Sequence, residues 1–594
     1  MSGLTLTLAP STAPWAPPSS PPFPPPWEPP SAPPNFPPPE PPSPPPPPEP
    51  PSPPPLPPSP PPDLTGRPVV ATSRGLIAGT YLFNGTVESY LGVPYATPPT
   101  GALRWRAPQP ATPWTTPLVA ASSPPACPQR LGEPPLHSQD EDCLYLNIVA
   151  PTRSSTLHPV LVYIHGGSYV QGGVAEDRLN ASWAVARRHD LVVVTLQYRL
   201  GLLGWLGGSR LAAESNHSGA SGNYGLLDQR LALAWVQQSV RAFGGDPQRV
   251  LVAGQSAGAG AVSAHLVSRG SRGLFSRAAL LSGAFASWVS QSAAGAQAVY
   301  GTLAAAAGCA SNVSASAELS CLRGLSADAL LAALPPEWED FGPTVGGAEL
   351  PAPPSHLAAA GALAPGVPIV AGSTEEDGTP HLPAAASASD FDAWVGAEFG
   401  ASSLNYTTAR QALLKTLYDP AAERRRPDGA HSAAYWSQIH LLADAEMACP
   451  AIRTARWRGA LPKAGATAAA WVYVWAHVRV AAAGRPDGVG ADHSSELPFL
   501  FGVEQAHDPR YAIHGDGERD LATNFLAFLR AFADGGAPNY VAGGAPGWPA
   551  YDDAAGQRLV LQAAAEGGIK VEAGGRRKEC ALWDAVGDAA PENG

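Results

Sequence analysis

The stretch Arg249-Val250-Leu251-Val252-Ala253-Gly254-Gln255-Ser256-Ala257-Gly258 limits what this chain can fold into more than any other. An apolar run rich in β-branched residues stops at a Gly-x-Ser-x-Gly pattern. Ala259 to Leu266, a stretch of small residues with helical potential, follows. Strand, sharp turn and helix in that order place a serine at the apex of a strained turn. Such a turn has no room for a Cβ two positions before or after the serine, and Gly254 and Gly258 supply that absence. Ser256 then stands exposed, with its backbone N–H at a helix N-terminus. The pentapeptide alone also fits an ordinary structural turn, so its partners elsewhere must decide its meaning.

The rest of the chain alternates. Leu144 to Val149, Val160 to Ile164, Leu191 to Leu196 and Val250 to Ala253 are short apolar runs suited to strands buried on both faces. Ala278 to Leu281, Val367 to Ala371 and Ala469 to Trp475 add further strands. Helix candidates at Ala181 to Arg188 and Gly225 to Phe243 lie between them. The pattern predicts an α/β fold, a large and mostly parallel central sheet with helices on both faces. Ahead of it, Val69-Val70-Ala71-Thr72, Gly75 to Gly79 and Tyr81-Leu82-Phe83 read as short strands of a small antiparallel sheet. Asn84-Gly85 is a hairpin signal. No internal repeat is visible.

Composition divides the chain unevenly. Residues 1–62 hold 33 of its 70 prolines. Such a run has no N–H ladder and little apolar surface to bury, so it reads as an extended polyproline II stalk or disordered segment. Its Ser-Pro runs resemble the hydroxyproline-rich stalks of plant and algal cell-wall proteins, and a plain spacer is the simpler reading. Residues 63–594 read as one large domain. The formal charge of −12 is spread over a chain that is only 14% charged. The two basic clusters, Arg424-Arg425-Arg426 and Arg576-Arg577-Lys578, read as solvated surface, which argues against nucleic acid. No run is apolar enough to span a bilayer, and the first ten residues lack the features of a signal peptide.

A serine hydroxyl is a poor nucleophile without a base, and the base needs an acid to fix its tautomer. In α/β-hydrolases the acid and the histidine follow the serine, and an oxyanion loop precedes it. Tyr163-Ile164-His165-Gly166-Gly167-Ser168-Tyr169 after a strand fits that loop, because glycines let backbone N–H groups turn toward a developing negative oxygen. Its third position is Ser168, so a side chain borders the hole.

Several long motifs now stand in order. Glu141-Asp142-Cys143-Leu144-Tyr145-Leu146-Asn147 is followed by Gly222-Asn223-Tyr224-Gly225-Leu226-Leu227-Asp228-Gln229, Phe243-Gly244-Gly245-Asp246-Pro247 and the elbow. Gly92-Val93-Pro94-Tyr95-Ala96 precedes them, and Phe532 to Asn539 and Trp548-Pro549-Ala550-Tyr551 come after. With them the chain resembles the type-B carboxylesterase/lipase family, which includes the cholinesterases, over roughly residues 68–585. The resemblance implies an α/β-hydrolase fold and a serine carboxylic-ester hydrolase working through an acyl-enzyme. Carried over, the acid lies in Gly372-Ser373-Thr374-Glu375-Glu376-Asp377-Gly378 and selects Asp377, with Glu376 as the alternative. The shorter Asp departs from the Glu usual there. His493, in Asp492-His493-Ser494-Ser495-Glu496-Leu497-Pro498, matches the base. Gly167, Ser168 and Ala257 would supply the oxyanion N–H groups. His165 reads as structural. Ser282 aligns with a serine that supports the acid–base pair, though a plain strand-end serine is an equal reading. No metal or cofactor is required.

The resemblance also pairs the cysteines as Cys127–Cys143, Cys309–Cys321 and Cys449–Cys580, where sequence alone allows fifteen connectivities. With the sequons at Asn84, Asn180, Asn216, Asn312 and Asn405 this points to a secreted or extracellular, wall-associated protein. Two departures bear on substrate. The first disulfide loop, Pro128 to Asp142, contains no Phe, Trp or Tyr, and Gln255 stands where cholinesterases carry Glu. Both remove attraction for a quaternary ammonium, which favours neutral small-molecule esters. The competing reading is a neuroligin-like binding protein or a wall-attached structural glycoprotein with the same fold.

Overall fold

A computed structural model describes residues 62–586 apart from 131–137, 154, 177–181, 216–220, 311–313, 339–340, 401–406, 424–429, 462–468, 480–489, 505–511 and 541–545. Residues 1–61 of the proline-rich segment, the sequons at Asn180, Asn216, Asn312 and Asn405 and the cluster Arg424 to Arg426 lie outside the described residues.

The chain opens with β1 (Val69–Thr72), β2 (Gly75–Ala78), β3 (Thr80–Leu82), β4 (Val87–Pro94) and β5 (Leu118–Val119). The central strands are β6 (Tyr145–Pro151), β7 (His158–Ile164), β8 (Val192–Leu196), β9 (Gly245–Gln255), β10 (Arg277–Leu281), β11 (Ile369–Thr374) and β12 (Ala470–Trp475). β13 (Arg558–Leu561) and β14 (Lys570–Glu572) close the series. One sheet of eleven strands runs β14-β13-β12-β11-β10-β9-β7-β8-β6-β4-β3. Its middle, from β8 through β7, β9, β10, β11 and β12 to β13, is parallel throughout. Both margins are antiparallel.

The small N-terminal sheet, expected to be antiparallel and to include Tyr81 and Leu82, pairs β1 with β2 antiparallel but takes β5 beside β2 in parallel, while β3 lies at the edge of the large sheet beside β4. The Asn84-Gly85 turn does join β3 to β4, with Leu82 opposite Val87. Phe83, expected at a strand end, instead belongs to the turn: Phe83, Asn84 and Gly85 all have positive φ.

Alternation along the central strands sends side chains into two cores. Val160, Val162 and Ile164 face one, with Leu226, Leu233 and Val236 of the helix Tyr224–Ser239 and the apolar residues of the helix Ala257–Val267. Leu161 and Tyr163 face the other, with Leu521, Phe525, Phe528 and Phe532 of the helix Gly515–Gly535. Helices therefore cover both faces, and the middle strands are buried on each side. The cysteines pair as Cys127–Cys143, Cys309–Cys321 and Cys449–Cys580, with none free.

A further sequence expectation is overturned. Arg576 is not solvated surface: its side chain is 2% exposed, donates to Glu375 Oε1 at 2.8 Å and pairs with the buried carboxylate of Asp444. An Arg in a short basic cluster looks solvated from sequence, but two acids distant along the chain give it a buried place.

Candidate active site

Parallel strands carry their C-terminal ends to one edge of a sheet, and loops leaving that edge meet. Here the loop after β7 carries Gly166 to Ser168, β9 ends at Gln255 beside Ser256, and β10 ends one residue before Ser282. β11 ends three residues before Asp377, and the chain after β12 leads to His493. Topology thus collects at one edge residues as far apart in sequence as Gly166 and His493, 327 positions.

Ser256 sits at the apex of the turn with φ +57° and ψ −129°, a conformation costly for any residue with a Cβ. The helix Ala257–Val267 starts at the next residue. A Cβ on Gly254 would collide with the Gly258 carbonyl, and one on Gly258 with the Ile164 carbonyl. The turn is pinned on its far side by the Ser256 N–H, which donates to Leu281 O at 2.9 Å. The glycine loop packs directly onto it: a Cβ on Gly166 would stand 3.0 Å from Ser256 Cβ and 2.7 Å from Gln255 O. Gly167 has φ +105°, Ser168 +51° and Tyr169 +61°, so three successive residues take left-handed conformations. Ser168 is exposed, and the Ala257 N–H lies in the first turn of the helix that follows Ser256.

His165 is 2% exposed, stacks on Tyr198 at 4.4 Å and has its Nδ1 2.9 Å from Gly166 O. Burial pushes its pKa down. These contacts hold the loop base and keep the ring away from solvent.

His493 Nδ1 lies 2.6 Å from Asp377 Oδ1, and the other Asp377 oxygen accepts from the Thr374 N–H at 3.0 Å. A carboxylate only accepts, so the imidazole carries its proton on Nδ1 and presents a lone pair on Nε2. Gln255 Nε2 stands 3.1 Å from that lone pair. Glu376 faces elsewhere. Its Oε2 accepts from the Ala491 N–H at 2.8 Å, and its own N–H donates to Ala491 O at 3.1 Å.

Two further acids surround this pair, and their place was not read from the sequence. Glu496 is fully buried, and both its oxygens lack hydrogen-bond partners among the described residues. Burial, then the nearby charge of Asp377, pushes its pKa up to about 7. Glu446 lies in the π-helical turn Asp444–Ala448 and is pushed up to about 7 by the same two causes. π-Turns inside helices often mark functional sites, but a π-turn leaves no pattern in side-chain types. Ser282 has φ +52°, donates its N–H to Gly372 O at 2.8 Å, and its buried hydroxyl has no hydrogen-bond partner among the described residues. Among the described residues no cluster of His, Cys, Asp or Glu is arranged to hold a metal.

Fold and edge-loop geometry together define an α/β-hydrolase. The sequence profile of the carboxylesterase family matches residues 66–583, and the chain belongs to that family. Among curated relatives it is 32% identical to para-nitrobenzyl esterase of Bacillus subtilis, over 83% of this chain and 94% of that protein. It is 31% identical to human cocaine esterase, over 82% and 86%. It is also 32% identical to mouse neuroligin-2, over 80% of this chain but only 61% of the relative's length. A solved structure of PNB esterase superposes with a TM-score of 0.69 at 29% identity, covering 87% of this chain and 99% of that one.

Proposed function

We propose that this protein is a serine carboxylic-ester hydrolase acting on neutral small-molecule esters. The observation that supports it most is the strained serine next in the chain to Gln255, whose amide meets a histidine held on its other nitrogen by a buried aspartate. In this reading His493 Nε2 takes the Ser256 proton as the hydroxyl oxygen attacks the ester carbonyl. The N–H groups of Gly167, Ser168 and Ala257 receive the developing oxyanion. His493 gives the proton to the departing alcohol, and Asp377 steadies the transient imidazolium. Water then attacks the acyl-enzyme, again with His493 as base, and Ser256 is restored. Each oxyanion donor contributes about 3–4 kcal/mol of barrier lowering in such sites.

Gln255 and a first disulfide loop free of Phe, Trp and Tyr support neutral over cationic substrates. Asn84 is exposed on its hairpin turn, as a glycosylated sequon must be, and with the disulfides it supports an extracellular setting. The family match begins at residue 66, which supports reading residues 1–62 as a separate spacer. Among the described residues no helix is long and apolar enough to cross a membrane.

The neuroligin-2 match favours a second reading, a binding protein that keeps the fold. A fluorophosphonate probe separates the two. Covalent labelling of Ser256, with hydrolysis of a neutral short-chain ester well above that of acetylcholine, is the expected result. A folded protein that neither labels nor hydrolyses any of a series of acyl lengths would leave the binding role.

A further inference from the structure

His493 stands in a field of acids. Asp377 holds its Nδ1, and Glu446 in the π-turn and Glu496 three residues on both act electrostatically on the ring. Asp492 is the preceding residue, and the Arg479 guanidinium stands 3.8 Å from it. Negative neighbours favour the charged imidazole, and a charged imidazole cannot accept a proton. A base placed among four carboxyl groups therefore needs something that favours its neutral form.

Gln255 is in place to do so. It is 2% exposed, fixed by β9, and its carboxamide N–H donates to the Nε2 lone pair at 3.1 Å. A hydrogen bond made to the neutral form alone lowers proton affinity. We propose that Gln255 is a positioning residue for catalysis: its carboxamide holds His493 as the Nδ1–H tautomer and sets the pH at which the ring becomes charged. The inference rests on the hydrolase reading above. Because the N–H of Gln255 occupies the lone pair that Ser256 needs, the amide must turn aside as substrate enters. A carboxylate at this position would instead attract the proton permanently.

The test titrates His493 by NMR in full-length protein carrying 13C-labelled histidine, with the resonance assigned by its absence in His493→Gln. Gln255→Glu is expected to raise the imidazole pKa by about one unit or more. Gln255→Asn, which keeps an uncharged amide but cannot reach, is expected to raise it by less. The acid limb of kcat/KM for a neutral ester moves by the same amounts, while the melting temperature stays close to wild type. If Gln255→Glu does not fold, Gln255→Asn decides. Pka values in both variants within 0.2 of wild type, or lower, overturn the proposal. A wild-type protein that does not label at Ser256 would defeat the hydrolase reading instead, and the NMR titration still reports on Gln255 separately.

Discussion

Glu376 and Ala491 grip each other through two hydrogen bonds, one from each backbone N–H, at 3.1 and 2.8 Å. Gly490, with φ +68°, lies so close that a Cβ there would stand 2.9 Å from Glu376 Oε2. The grip ties the loop after β11 to the loop of His493 two residues before the imidazole. Adjacent acids thereby hold two different parts of one loop, Asp377 the ring and Glu376 the backbone.

Their substitutions should separate. Asp377→Asn is expected to lower kcat by about 10³–10⁴-fold with stability nearly intact, since the imidazole loses the charged acceptor that fixes its tautomer. Glu376→Ala is expected to cost about 10–100-fold by letting the ring drift. Steady-state kinetics on a neutral ester checks both, and the reverse ranking would assign the acid role to Glu376.

Two buried acids contribute a share of the stability that falls as pH rises. The folded pKa values of Glu446 and Glu496 are raised from 4.5 to about 7, so the folded state binds more protons than the unfolded chain between those limits. His477 acts in the same direction. Its Nδ1 lies 2.7 Å from Glu566 and its Nε2 3.0 Å from Glu518, and although burial opposes it, these bonds raise its pKa above 6.5. Its stabilisation is complete below pH 6.5 and is lost as pH passes its folded pKa. His165, His189 and His265, whose burial lowers their pKa, act in the opposite direction, so the acids' share is read from the melting temperature of a variant. Glu496→Gln should raise it at pH 8 and change it little at pH 5, as differential scanning calorimetry would show.

Arg576 is expected to be a stability residue. Replacing it with Met leaves Glu375 and Asp444 without this cation in a buried place, which costs about 3–5 kcal/mol when one partner of such a pair is removed. Chemical denaturation of the variant should show the loss, and an unchanged midpoint would contradict the buried pairing.

The elbow tolerates no side chain at its flanks. Gly258→Ala is expected to give insoluble or inactive protein, because the added methyl meets the Ile164 carbonyl and backbone cannot yield cheaply. Ala257→Gly, one residue away, should still fold, and solubility with probe labelling compares the two.

The central strands and the elbow were readable because burial on both faces and a Cβ-free turn each restrict residue type. β13 and β14 were not, since Arg558–Leu561 and Lys570–Glu572 are short and mix charge with apolar residues at the margin of the sheet. The chemistry at each loop was visible as motif, and the resemblance selected Asp377. That Glu376 turns instead to the Ala491 backbone was hidden, since it depends on backbone direction over one residue. Gln255 beside His493 was equally hidden, because 238 positions separate them and only the sheet edge joins them. Arg576 misled for a related reason: a basic triplet says nothing of one member turning inward.

The bond between Cys449 and Cys580 closes a ring of chain that holds β12, His493, β13 and β14. A protease that cuts anywhere inside that ring cannot release the histidine-bearing piece. The nicked protein would migrate as one species until a reductant is added, then separate into two fragments. Where the cut falls before His493, only then would the Ser256 fragment be parted from that histidine.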